Sequence, residues 1–261
     1  WSAFAVGWWF GFGFFVAGLY WIYEAFLVNP EQFAWMIPFA VSGLSAGMAL
    51  FPALASGLCW RISKPGLGRV LALAGAWTLA EGLRGWAFTG FPWNLLAYAW
   101  SSSDVVMQTA AVVGAFGVSF LTVLILAMPA VLGGPSTTFP KRGGAILVAL
   151  AVAVVILVAG AARLHDAGPL SGLKTVSGVG LRLVQANIPQ TLKWEPARRE
   201  RQFDEQIELS RAAGFGTVTT VIWPETASVF ALNVDPPHRA RIAASIPPGG
   251  KLIVGAPRVT P

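Results

Sequence analysis

Gly144-Ala-Ile-Leu-Val-Ala-Leu-Ala-Val-Ala-Val-Val-Ile-Leu-Val-Ala-Gly-Ala-Ala162 runs without one charged side chain between Lys141-Arg142 and Arg163. A helix needs about 20 mostly apolar residues to cross a hydrocarbon core. Because lipid offers the backbone no hydrogen bonds, an apolar stretch of this length reads as a membrane helix and not as an open strand. Four further stretches toward the amino end have the same character, near 3–26, 34–60, 69–88 and 105–132, so five crossings are expected. Residues 1–162 hold ten of the thirty Asp, Glu, Lys and Arg, and the 99 residues from Arg163 onward hold the other twenty. Soluble domains average about 25% charged residues, whereas this chain has 11%, with 55% hydrophobic residues. The reading is therefore an all-α membrane bundle over 1–162, followed by a water-exposed domain over 163–261. Gly7/Gly11 and Gly43/Gly47 are small residues four apart, a spacing that lets membrane helices approach closely; the plain alternative is that glycine is simply common in such helices.

Loop charges set an orientation. Arg61, Lys64 and Arg69 separate the second and third stretches, and Lys141 and Arg142 the fourth and fifth, while 28–33 and 89–104 contain neither Lys nor Arg. The positive-inside rule puts the basic loops in the cytoplasm. Five crossings then carry the chain out, so the domain from Arg163 is expected on the extracytoplasmic face.

The net charge of +6 does not point to nucleic acid. Six of the eighteen basic residues belong to the membrane part, and no basic stripe with interleaved aromatics is present. Arg198, Arg199 and Arg201 alternate with Glu200, Asp204 and Glu205, as on a solvated helix face. His165 and His238 share no metal-ligand spacing with Cys or acidic neighbours, and no metal or cofactor is expected. With one cysteine, Cys59, no internal disulfide is possible. Trp1 follows no initiator Met or signal pattern, and the chain stops just after the strand-like Lys251-Leu-Ile-Val-Gly255; it reads as an internal part of a longer protein.

Beyond Arg163, strand and helix patterns alternate. Gly180–Ala186 reads as a strand, Pro196–Ala213 as a helix stopped by Gly214, Val218–Trp223 as a strand, Pro237–Ser245 as a short helix and Lys251–Val254 as a third strand. This order indicates an α/β domain with crossover connections. In such sheets functional groups collect beyond the carboxyl ends of the strands. Glu225 occupies that place after the second strand, and Asn187–Trp194 after the first.

Leu183-Val-Gln-Ala-Asn-Ile-Pro-Gln-Thr-Leu-Lys-Trp194 and Ile222-Trp-Pro-Glu-Thr-Ala227 resemble the bacterial apolipoprotein N-acyltransferases, and Glu81-Gly-Leu-Arg-Gly-Trp-Ala-Phe-Thr-Gly-Phe-Pro-Trp93 looks like that family's motif before an extracytoplasmic loop. The resemblance implies a nitrilase-like αββα domain on an eight-helix membrane domain in the bacterial cytoplasmic membrane. It also implies a Glu-Lys-Cys triad. The Cys takes an acyl chain from a membrane phospholipid as a thioester and passes it to the amine of a diacylglyceryl-cysteine lipoprotein. Glu225 matches the general base, whereas the matching Lys and Cys would lie beyond Pro261, which leaves residues 1–261 inactive alone.

That chemistry suits the residue types. A thiol becomes an effective nucleophile once a base takes its proton, and a Lys stabilises the developing oxyanion. The plain alternative for Glu225 is a surface carboxylate after a strand. Trp194 matches a family tryptophan and is a substrate-binding candidate; its alternative is an aromatic cap before the next helix. Lys193 is read as exposed, and Cys59 as a packing residue at the cytoplasmic end of its helix. Glu81 and Arg84, three apart, are read as a structural intramembrane pair anchoring the 89–104 arm, with headgroup contact as the alternative. Trp8, Trp9, Trp21, Trp86 and Trp93 read as membrane packing and interfacial anchors. Two other functions compete with acyl transfer to an amine: a membrane-tethered amide hydrolase with the same triad, and a non-catalytic membrane scaffold.

Overall fold

The computed structural model describes residues 2–133, 139–168 and 175–260. The chain divides into two compact units, Trp1–Gly172 and Leu173–Pro261.

The first unit is helical. Its first helix, Ala3–Leu19, starts where Ser2 Oγ accepts from Ala5 N at 3.2 Å, and a 3₁₀ turn, Tyr20–Ile22, leads on to Tyr23–Phe26. The second expected stretch is segmented. Pro30–Phe33 and Ala34–Met36 precede the Ile37–Met48 helix, and a step at Ala49 leads into Leu50–Ile62. Leu67–Arg84 follows Gly66, whose φ of 111° suits glycine. The fourth stretch is Asp104–Met107, then Ala110–Ala127 kinked at Gly114, then the 3₁₀ turn Met128–Gly133. The fifth stretch is one helix, Phe139–Ala167, which already includes Lys141 and Arg142, put in a loop by the sequence pattern. The centre of that expected loop, 134–138, falls outside the described residues.

Among the described residues, four stretches are long and apolar enough to cross a membrane: Ala3–Phe26, Pro30–Ile62, Ala110–Gly133 and Gly143–Ala167. Leu67–Arg84, expected as the third crossing, carries Arg69, Glu81 and Arg84 within its eighteen residues, and these charges separate it from the others. Bulky apolar side chains are left on the outside of the bundle, among them Val112, Leu147, Val155 and Val158. Water would penalise so large an apolar exterior, whereas hydrocarbon does not. Within the bundle only one of the two glycine pairs is used for close approach. A Cβ at Gly7 would lie 2.5 Å from Ser56 Oγ, and one at Gly11 would lie 2.9 Å from Pro52, so this pair seats the first helix on Leu50–Ile62. Gly43 and Gly47 meet nothing within 4 Å.

The second unit is a small α/β arrangement. Strands β1 (Leu181–Leu183), β2 (Thr220–Ile222) and β3 (Lys251–Ile253) are parallel in that order, with Leu181 opposite Thr220 and Thr220 opposite Lys251. Parallel neighbours need crossovers. The Arg199–Ser210 helix lies between β1 and β2 in the chain, and Pro236–Ala243 between β2 and β3. Phe203, Ile207, Val221, Trp223 and Ile242 form the core. Arg182 of β1 donates to the carbonyls of Ser210 and Ala212 at 2.8 Å and of Ala213 at 2.6 Å, satisfying the orphan acceptors at the end of the longer helix. Gly214 follows with φ 83° and turns the chain back toward β2. Asp235 caps the shorter helix by accepting from His238 N at 3.2 Å.

Candidate active site

The ladder carries β2 one residue past Ile222, where Trp223 N donates to Ile253 O at 2.9 Å. Trp223 then turns inward and its indole N–H donates to Ser210 Oγ at 2.8 Å, while Pro224, without an N–H, ends the strand. The chain therefore leaves the sheet with Glu225 exposed at its carboxyl edge. Thr226 beside it adopts φ 48°, and Asn187, after β1, adopts φ 50°. A left-handed Thr is unusual, and such backbone clusters at functional turns. The exit of β3 closes against the same place. Gly255 O accepts from Ser228 N at 3.2 Å, and a Cβ on Gly255 would lie 2.6 Å from Thr226 N, so a side chain there would displace the Glu225 turn.

These exits enclose a cavity of about 150 Å³ whose lining includes Gln185, Asn187, Lys193, Gln206 and Glu225. Lys193 is half-buried, not exposed as the sequence suggests, because its Nζ turns into the cavity wall and donates to the main-chain oxygen of Glu225 at 3.3 Å. Trp194 follows it with 44% of its surface exposed. Its carbonyl accepts from Arg199 Nη2 at 3.2 Å. Gln206, only 1% exposed, donates through Nε2 to Ala227 O at 2.7 Å, while its Oε1 has no hydrogen-bond partner among the described residues. The sequence does hold a sign of Gln206: it lies on the same helical stripe as Phe203, Ile207 and Ser210, all buried, so a polar side chain there faces inward.

On the outer side of the same helix, Glu200 and Asp204 are not simply solvated. Arg241 donates to both, at 2.7 Å for Glu200, and His238 lies between Asp235 Oδ2 at 2.7 Å and Glu200 Oε1 at 3.1 Å, stacked on Phe230. The Arg241 hydrogen bond holds the Glu200 carboxyl below its ordinary range, and the His238 backbone N–H does the same for Asp235. Among the described residues, no three His, Cys, Asp or Glu side chains are placed to hold a metal ion.

In the first unit, Glu81 and Arg84 both bind the segment that follows their helix. Glu81 Oε1 accepts from Trp77 Nε1 at 3.0 Å and from Leu96 N at 2.7 Å. The Arg84 guanidinium donates to the carbonyls of Phe91 at 3.1 Å, Trp93, and Asn94 at 3.3 Å, and lies over the Phe15 ring. No ion pair within 4.0 Å joins the two among the described residues. Between them the arm bends sharply, with Phe88, Thr89 and Asn94 all at positive φ and Phe88 almost fully exposed. Cys59 is buried in its helix, with Sγ 3.4 Å from Arg69 O.

Residues 1–128 match the family model described as the apolipoprotein N-acyltransferase N-terminal domain. Three curated relatives bear the name apolipoprotein N-acyltransferase. The one from Brucella suis biovar 1 (strain 1330) is 41% identical over 261 residues, which cover 97% of this chain and 47% of the relative. The one from Rhodopseudomonas palustris is 40% identical over 98% of this chain and 48% of its own length. The one from Rhizobium etli is 39% identical over 99% and 48%. The chain spans about half the length of the curated relatives it matches.

Proposed function

From the similarity of nearly the whole chain to proteins named apolipoprotein N-acyltransferase, we propose that the full-length protein moves a fatty acyl chain from a membrane phospholipid, through an enzyme thioester, to the amine of a diacylglyceryl-cysteine lipoprotein. The observation that carries the site assignment is the exposed Glu225 carboxylate, at the carboxyl end of β2 and on the rim of a polar cavity, in a turn whose backbone is fixed by Thr226 and Gly255. Glu225 is the general base. It takes the thiol proton as the sulfur attacks the ester carbon; the S–C bond forms, the ester C–O bond breaks, and Glu225 returns the proton to the departing lysophospholipid. In the second half the lipoprotein amine attacks the thioester, the C–S bond breaks, and the amine proton passes through Glu225 to the sulfur.

By the family motif, Glu225 works with a nucleophilic Cys and with a Lys that steadies the oxyanion. Cys59 is unsuited to the role, being buried in its helix with Sγ 3.4 Å from Arg69 O. Trp194, partly exposed on the turn next to the cavity, is the substrate-contacting aromatic. Glu81 and Arg84 are the structural intramembrane clamps of the arm, and the domain with Glu225 is the beginning of a nitrilase-like αββα fold.

The test is direct. Full-length protein given labelled phospholipid and a diacylglyceryl-cysteine peptide should place the label on the peptide amine. Labelled free fatty acid in its place would identify a hydrolase, and no turnover at all would favour a scaffold.

The membrane part crosses the cytoplasmic membrane five times within this chain, Leu67–Arg84 included, and the Glu225 domain lies on the extracytoplasmic side. The support is the loop charge asymmetry. In a Cys59→Ser background, single cysteines replacing Asn29 or Ser102 should react with an impermeant thiol reagent added to spheroplasts, and one replacing Lys64 should react only after lysis. The reverse pattern refutes the orientation.

A further inference from the structure

The turn that carries Trp194 is fastened at three points, all within the second unit. Gln202 Nε2 donates to Leu192 O at 2.9 Å and Arg199 Nη2 to Trp194 O at 3.2 Å, both from the helix that follows. The third fastening is of another kind. Lys193 Nζ reaches 32 residues along the chain to the main-chain oxygen of Glu225 at 3.3 Å. Lys193 is half-buried, lines the cavity, and forms no ion pair among the described residues. Charge pairing therefore does not explain its place; what it holds does.

The bond falls on the peptide between Glu225 and Thr226, and Thr226 is left-handed at φ 48°. Such a turn persists only where its surroundings over-determine it. An ammonium donor on the Glu225 carbonyl fixes that peptide's orientation, and with it the direction from which the Glu225 side chain leaves the backbone. Because the donor's own backbone carries Trp194 as the next residue, the same bond ties the aromatic to the base.

Resting on the reading of Glu225 as general base and Trp194 as substrate contact, we propose that Lys193 is a positioning residue, which locks the Trp194 turn to the Glu225 turn so that a substrate seated on Trp194 meets the carboxylate in one geometry. It acts through a backbone carbonyl and not on the reacting atoms. This separates it from an oxyanion lysine, whose loss would remove transition-state stabilisation outright.

The experiment measures kcat and KM for acyl transfer from labelled phospholipid by the full-length protein carrying Lys193→Met, Lys193→Arg, Trp194→Ala, and Lys193→Met with Trp194→Ala. Small misplacements of catalytic groups cost on the order of 10-fold to 10²-fold. Lys193→Met should lower kcat/KM about 10-fold, Lys193→Arg should recover it to within about threefold, and Lys193→Met should cost under about twofold once Trp194 is already Ala, because coupled residues are not additive. A wild-type rate for Lys193→Met overturns the proposal, as does a full 10-fold cost in the Trp194→Ala background. A loss above about 10³-fold that Arg does not rescue overturns it too, by placing Lys193 at the reacting atoms. If Lys193→Met fails to accumulate, Lys193→Ala, which likewise has no donor, takes its place in the same cycle with the same outcomes. Glu225→Gln is assayed alongside. Wild-type activity in that variant would sink the base assignment itself, whereas an inactive Glu225→Gln with a wild-type Lys193→Met would sink only the coupling.

Discussion

Glu225→Gln in the full-length protein should lower thioester formation from phospholipid by about 10² to 10⁴, the range that a positioned general base contributes. The substitution suits the question because glutamine has nearly the volume of glutamate and lacks only the proton acceptor. Glu225 is exposed at the sheet edge, so the core of Phe203, Val221 and Trp223 is untouched and the protein should fold and insert normally. The turn itself is held by main-chain features: the Lys193 bond to the Glu225 carbonyl, the left-handed Thr226 and the close packing of Gly255. A lost rate is therefore a chemical effect and not a displaced loop. The readout is acyl-enzyme that hydroxylamine releases, measured over the first turnover. Formation at the wild-type rate would mean that another group takes the thiol proton.

Arg84→Met should destabilise the membrane unit by about 1–3 kcal/mol or more, the usual cost of leaving buried hydrogen-bonding groups without their partner. Arg84 is 2% exposed, and its guanidinium serves three carbonyls along Phe91, Trp93 and Asn94. Methionine fills much of the volume but leaves those acceptors without a donor where water is scarce. It also removes the positive neighbour of Glu81, itself only 4% exposed and with one carboxylate oxygen that has no hydrogen-bond partner among the described residues. Arg84→Lys should recover only part of the loss, since one ammonium cannot match the fork of a guanidinium. The measurement is denaturant unfolding of purified protein in detergent, with proteolysis of the 88–91 segment as a local probe. Unfolding of Arg84→Met at the wild-type denaturant concentration would show that the arm is held by something else.

Much of this architecture is legible in the sequence because apolar length is a strong signal. The Gly144–Ala162 run could hardly be anything but a buried or lipid-facing helix, and the structure has a helix over Phe139–Ala167. The alternation of short β-rich runs with a polar helix gives the parallel sheet, although the ladder is shorter than the apolar runs, with three residues per strand. Local backbone events are harder to read. The step at Ala49 and the kink at Gly114 break stretches whose composition is uniformly helical, and tertiary packing decides where. Phe88 and Thr89 take positive φ although neither residue type favours it. The binding of the arm by Arg84 and Glu81 accompanies that conformation, and which carbonyls and which amide each of them binds does not show in residue spacing along a helix.

The candidate site divides in the same way. Glu225 was visible from its place after a strand and its Trp-Pro-Glu setting. The long-range bond from Lys193 was not, because nothing in a sequence of one chain shows which backbone carbonyl a flexible ammonium will find 32 residues away. In the sequence His238 shows only the lack of metal-ligand spacing, and its two carboxylate neighbours, Asp235 and Glu200, come together through the docking of one helix on another. Only Asp235, three residues before it, was close enough in sequence to suggest a contact.

In the proposed reaction, a membrane-embedded enzyme with Glu225 as its base carries an acyl group from phospholipid to a lipoprotein amine by way of a thioester. The most direct measurement is a chase. Full-length protein is loaded from labelled phospholipid, the donor is removed, and a diacylglyceryl-cysteine peptide is added while the label is followed by mass on both partners. The account predicts that label leaves the enzyme at the rate at which it appears in amide linkage on the peptide amine. Label that stays on the enzyme, or leaves as free fatty acid at a rate indifferent to the peptide, would contradict it.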